Sequence, residues 1–171
     1  PDIIPRMKEL RDRVNFQWIW VGRNPFDTLH SLLRKGWFSD GYLSSREAPF
    51  QLLGGRVAPL WLSERQFDVF LSGSEVDRSI MYVEAMHNVR LIPMPDLMVD
   101  YERLCSQPGE VLDALSDSFG LRVGPKTEEV VQSLRTQKRG KFEPLQLTDA
   151  HREKLDRIWS SWKYREERFF S

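Results

Sequence analysis

The stretch Phe16-Gln-Trp-Ile-Trp-Val-Gly-Arg-Asn-Pro-Phe-Asp-Thr-Leu-His-Ser31 narrows the possible folds of this chain more than any other. Trp18, Ile19, Trp20 and Val21 form an unbroken run of aromatic and β-branched residues. Such a run predicts a strand over 16–21 covered on both faces, as strands of parallel sheets are. The strand must stop at Gly22 and Arg23 and turn at Asn24 and Pro25. Proline suits the first turn of a helix, where its missing N–H costs nothing, and Asp27 suits the positive end of the helix dipole. A helix from about Pro25 to Lys35 comes next, with Gly36 as its C-terminal stop. This puts a guanidinium, Arg23, at the carboxyl end of a strand and a hydroxyl, Ser31, about two turns into the next helix. Carboxyl ends of parallel strands are where α/β sheets hold phosphorylated ligands, so the segment reads as an anion-binding corner.

The remainder alternates helix and strand. Ile4, Met7, Leu10 and Val14 give a short helical pattern. Residues 37–62 break up Trp37, Phe38, Tyr42, Phe50 and Trp61 with Gly, Ser and Pro, and read as a long substrate-side excursion. Ser63-Glu-Arg-Gln66 opens a helical stretch to Asn88 that Gly73 divides. A buried strand is expected at Leu97–Tyr101, ending at Glu102, whereas Pro93 and Pro95 argue against a central strand before it. Pro108 starts a helix that Gly120 caps, another helix spans about Thr127 to Leu134, and Thr148 caps a last one carrying Leu155, Ile158, Trp159 and Trp162.

Composition limits the ligands. The 171 residues suffice for one domain with a core. Twenty-five basic and 25 acidic residues cancel, which removes any global electrostatic case for nucleic acid or an anionic membrane, so an anion site must be local. The one cysteine, Cys105, forms no internal disulfide and favours a reducing, cytoplasmic compartment. No apolar run approaches the length of a bilayer span. No Cys/His pattern suggests a metal.

Each candidate residue has a structural alternative. Arg23 could pair with Asp27, and Ser31 could bond its own helix backbone. Tyr101 could be a core ring with a satisfied hydroxyl, and Glu102 reads as local structure. His30 points away from Ser31, His87 ends an amphipathic helix, and His151 reads as exposed in the first turn of the last helix. None carries a positioned nucleophile, so a Ser-His-Asp hydrolase is unsupported.

Arg-Asn-Pro-Xaa-Asp followed by Ser31 resembles the 3′-phosphate-binding segment of the PAPS-dependent sulfotransferases. Met98-Val-Asp-Tyr-Glu-Arg-Leu104, then Pro108 and Phe119-Gly-Leu121, is similar to the family's strand, Tyr-Glu, proline and helix run. Lys138-Arg-Gly-Lys141 resembles the Arg-Lys-Gly loop that closes over the nucleotide. Three elements in family order are far more specific than Arg-Asn-Pro alone. The resemblance implies an α/β fold of the P-loop NTPase-like, three-layer α/β/α kind with a parallel sheet. Residues 1–171 would form one sulfotransferase-like domain, its C-terminal portion and thus incomplete. It also implies PAPS (3′-phosphoadenosine 5′-phosphosulfate) as sulfuryl donor to a hydroxyl or amine on a small-molecule or carbohydrate acceptor. Arg23 and Ser31 would hold the 3′-phosphate, Tyr101 would lie near the adenine, and Lys138, Arg139 and Gly140 would close over the nucleotide.

The departure from the family is equally specific. No Gly/Ser/Thr-rich loop with its lysine, the element that wraps the 5′-phosphosulfate, is present. Leu53-Gly-Gly-Arg-Val57 lacks the Gly-Lys-Ser/Thr context. The general base is not assigned. Two other functions stay open: a P-loop-type nucleotide kinase or phosphotransferase, and a non-catalytic interaction domain of sulfotransferase-like fold.

Overall fold

The computed structural model describes residues 10, 12–14, 16–44, 51–53, 56–58, 61–87, 95–122, 124–136 and 144–169. Helices dominate, around a two-stranded parallel sheet, which is an α/β arrangement. Strand β1 (Ile19–Gly22) pairs with β4 (Leu97–Asp100), in register from Ile19 opposite Leu97 to Gly22 opposite Asp100. Between them come helices α1 (Pro25–Lys35), α2 (Asp40–Leu43), α3 (Glu64–Ser72) and α4 (Glu75–His87). An antiparallel pair, β2 (Gln51–Leu53) and β3 (Arg56–Ala58), lies in the same interval. After β4 come α5 (Tyr101–Ser106), α6 (Pro108–Phe119), α7 (Pro125–Thr136) and α8 (Asp149–Glu166), then a 3₁₀ turn, Glu167–Phe169.

Local chemistry sets the helix ends. The Asn24 side chain accepts from the Phe26 N–H at 2.9 Å, and Pro25 occupies the first helical turn, as expected of α1. Gly36 closes α1 in the left-handed region at φ 63°, which glycine adopts without the penalty of a side chain. Ser63 and Gln66 form a reciprocal capping box on α3, and α3 ends at Gly73. Thr148 caps α8 by accepting from the His151 N–H.

Two apolar clusters bury these elements. The larger joins Leu29 and Leu32 of α1, Phe67 and Phe70 of α3, Ile80 and Val83 of α4, and Leu155 of α8. Phe38 and Trp61 belong here too, in edge contacts with Phe70, so two of the aromatics in 37–62 serve the core. Buried Arg78 ties this region to the loop after α1. It donates to the carbonyls of Phe38, Phe70 and Leu71 at 2.9–3.0 Å and meets Asp40 at 2.6 Å. Phe70 and Leu71 lie in the last turn of α3, whose carbonyls lack helical partners and carry the negative end of the dipole.

The smaller cluster packs Leu97 and Val99 of β4 on Val111 of α6. It does not extend to β1, where Ile19 and Val21 are 41% and 52% exposed. The expectation that β1 is covered on both faces therefore fails, whereas β4 is buried along its length, as expected. On the opposite face Trp20 is half-buried and Gly22 is buried. There α8 brings Trp162, fully buried, against Gly22, where an added Cβ would overlap the indole ring. The β4 reading also shifts at its end. The Asp100 side chain accepts from the Glu102 N–H at 2.8 Å and starts α5 at once, so Tyr101 and Glu102 belong to a helix rather than to the strand.

Because no Cβ fits beside Trp162, Gly22→Ala should destabilise the chain by about 1–3 kcal/mol through overpacking. Urea unfolding followed by tryptophan fluorescence checks this; an unchanged midpoint contradicts the Gly22–Trp162 contact.

Candidate functional site

The β1–β4 register decides which side chains meet. Gly22 and Asp100 end the two strands side by side, so Arg23 and Tyr101 leave the same sheet edge together. The Arg23 guanidinium carbon lies 5.5 Å from the centroid of the Tyr101 ring, within cation–π range. Arg23 Nε is buried without a hydrogen-bond partner among the described residues. An arginine in that state has donors to spare for an anion, and its planar fork suits phosphate oxygens.

The backbone of this corner is pinned from two sides. The Arg23 carbonyl meets His87 Nε2 at 3.1 Å, at the last residue of α4, while His87 Nδ1 lies 2.8 Å from the Val83 carbonyl. Burial pushes the His87 pKa below its ordinary value, outweighing both carbonyl contacts. A neutral imidazole donates to only one of the two. From α5, Glu102 Oε2 accepts from the Asn24 N–H at 3.2 Å. The Asn24 carbonyl accepts from the Thr28 N–H and hydroxyl, both at 3.0 Å. Ser31, half-buried, is three residues past Thr28 and four past Asp27, on the face of α1 that runs back to this turn.

Beneath the corner sits a charged network that ties α8 to the sheet. Asp100 accepts from Lys163 Nζ at 2.8 Å, and Lys163 also donates to Glu166 at 3.0 Å. Glu166 is fully buried; Arg103 approaches it at 3.7 Å, and it accepts from the Asp100 N–H at 3.4 Å. Buried carboxylates need such partners, since an unpaired one would neutralise instead. Burial alone would raise the Asp100 pKa, but hydrogen bonds with Glu102 and Lys163 outweigh it and hold the carboxyl below its usual range. Glu102 goes the other way. Burial first, then the hydrogen bond and charge of Asp100, push it up to about 7. At neutral pH the Asp100–Glu102 pair therefore holds one proton on Glu102 for part of the time.

Of the residues singled out in the sequence, Arg23 and Tyr101 are brought together and Ser31 lies on the helix just after Arg23. Lys138, Arg139 and Gly140 fall outside the described residues. His151 departs from its expected exposed position: its Nε2 meets Asp77 at 2.9 Å, linking the first turn of α8 to α4. The roles of His87, Asp100, Lys163 and Glu166 left no local signal, since each acts on a residue distant in sequence. Among the described residues no group of His, Cys, Asp or Glu is placed to hold a metal, and no helix is long and apolar enough to cross a membrane. Comparison with protein-family models, curated proteins and solved structures finds no match.

The raised carboxyl gives a pH-dependent prediction. A raised folded-state pKa contributes stability that is full below the ordinary value, 4.5, and is lost as pH rises through about 7. Glu102→Gln keeps the acceptor for Asn24 and supplies a permanent donor to Asp100, so it fixes the protonated form. It should raise Tm over the parent by about 2–4 °C at pH 8, the shift expected of ~1 kcal/mol after allowing for solvent screening. At pH 4, below the ordinary value, the difference should vanish. Thermal melts at both pH values check this, and an equal shift at both contradicts it.

Proposed function

We propose that this chain carries the 3′-phosphate-binding side of a PAPS-dependent sulfotransferase, built on the three-layer P-loop type of α/β fold. One observation carries the reading. The parallel pairing of β1 with β4 sets Arg23 and Tyr101 at one strand-end corner, with the Arg23 Nε buried and without a partner. The two residues belong to separate family-like motifs, and their proximity supports treating those motifs as halves of one site. The orphaned guanidinium nitrogen also fits an anionic group.

PAPS, when bound, supplies the sulfuryl group that passes in line to a hydroxyl or amine of a small-molecule or carbohydrate acceptor. The residues of this chain act on the donor's far end. Arg23 gives a charge-assisted grip on the 3′-phosphate, and Ser31 adds a neutral donor from α1. Tyr101 offers a ring face beside the guanidinium, adjacent to where a purine would stack. The family resemblance assigns Lys138, Arg139 and Gly140 to the loop that closes over the nucleotide. Fixing one end of the donor in this way orients it for transfer without touching the sulfur. The grip on the 5′-phosphosulfate and the general base are not assigned to residues of this sequence, because the glycine-rich loop with its lysine is missing from it. The single cysteine agrees with work in a reducing, cytoplasmic compartment.

Arg23→Ala should weaken binding of 3′-phosphoadenosine 5′-phosphate by about 1.5–3 kcal/mol, the worth of a hydrogen bond to a charged group. Adenosine 5′-phosphate, lacking the 3′-phosphate, should lose far less. Titration calorimetry with both nucleotides decides: equal losses, or no preference of the parent chain for the 3′-phosphorylated ligand, reject the reading.

A further inference from the structure

We propose that an anion bound at Arg23 draws a proton onto Glu102, so that ligand binding and proton uptake are coupled at this corner. The inference rests on the anion-binding role of Arg23. It starts from placement. Glu102 Oε2 accepts from the N–H of Asn24, the residue directly after Arg23, so the carboxyl borders the turn that would receive the anion. Its other close neighbour is a carboxylate, Asp100, whose side chain accepts from the Glu102 backbone N–H at 2.8 Å. Lys163 is drawn to Asp100 and Glu166 instead.

The groups around Glu102 on each packed element bear this out. On β4 lies Asp100, and on α8 lie Lys163 and Glu166, which engage Asp100. On α5 are Tyr101, Cys105 and Arg103, the last of which pairs with Glu110 of α6 and approaches Glu166. Lys126, Glu128 and Glu129 of α7 are solvent-exposed. At the β1–α1 turn is Arg23 itself, whose carbonyl meets His87 of α4. A dianion arriving at Arg23 therefore adds negative charge beside a carboxyl already facing a carboxylate. Like charge favours the neutral form.

Taking up the proton breaks no contact. A protonated Glu102 still accepts the Asn24 N–H through its carbonyl oxygen and donates its O–H to Asp100. The group is also half-protonated near neutrality, where a neighbouring charge moves its occupancy most. By linkage, whatever the anion does to the proton, the proton does to the anion: affinity must fall as Glu102 ionises.

The test is calorimetry of 3′-phosphoadenosine 5′-phosphate binding to the whole chain at pH 7.5, in two phosphate-free buffers of different ionisation enthalpy. The parent should take up about 0.3–0.5 proton per ligand more than Glu102→Gln. Inorganic sulfate, whose charge does not change in this range, provides a second probe. Its Kd should rise about threefold from pH 6 to pH 8 in the parent and stay flat in the variant. Nucleotide binding with equal uptake in both proteins overturns the coupling while leaving the Arg23 site intact, and points to His87 or the ligand as proton acceptor. Sulfate affinity in the parent that does not change with pH overturns it without recourse to the variant. Absence of binding by either probe rejects the anion site and the coupling together.

Discussion

The parallel pairing of β1 with β4 is the constraint on which the rest of this structure depends. Two short strands, far apart in sequence, end level with each other at Gly22 and Asp100. A parallel pair of this length is not stable in isolation and needs an apolar cover. Helix α8 supplies it on one face with two different devices. Trp162 lies against Gly22, where only hydrogen leaves room, and Lys163 and Glu166 meet the side chain and backbone of Asp100. Shape fixes one strand and charge fixes the other. The two strand ends are thereby held level, and with them Arg23 and Tyr101.

Each strand runs directly into a helix start, and this gives the corner its chemistry. Asn24 caps α1 and Asp100 caps α5, so the first residues past the sheet have defined backbone directions. Glu102 then joins one cap to the other by accepting from the Asn24 N–H. Arg23 is gripped by its carbonyl at His87, while its guanidinium keeps a donor unused. The backbone of the corner is thus pinned from two sides, while one guanidinium nitrogen of Arg23 has no hydrogen-bond partner among the described residues. The same contact that orders the turn sets the Glu102 carboxyl against the N–H of Asn24, the residue after Arg23, and this is the origin of the proposed proton linkage.

The sequence disclosed the features that depend on residues near one another in the chain. Asn24-Pro25 and Gly36 bracket α1, Ser63 with Gln66 opens α3, and Thr148 starts α8, because caps are contacts made within a few residues. Contacts between distant residues stayed hidden. Lys163 and Glu166 look like an ordinary solvated i,i+3 pair until β4 is placed beside them. His87 reads as the end of a helix, with nothing to suggest the Arg23 carbonyl. Phe38 and Trp61 share a loop-like composition with Trp37, yet they turn into the core. The exposure of Ile19 and Val21 was equally hidden, since a β-branched run signals a strand but not what covers it. At the site, Arg23 and Tyr101 were legible as separate motifs, and their meeting is a property of the β1–β4 register alone.

The central claim is that the Arg23 guanidinium at this strand-end corner receives the 3′-phosphate of a nucleotide. The side-chain Nε–H resonance of Arg23 in the ¹⁵N-labelled chain, assigned by its loss in an arginine variant, reports on this directly. It should shift and sharpen on adding 3′-phosphoadenosine 5′-phosphate, because the hydrogen bond slows exchange with water, and it should stay in place with adenosine 5′-phosphate. An Arg23 resonance indifferent to the 3′-phosphate, while other residues respond to it, would contradict the account.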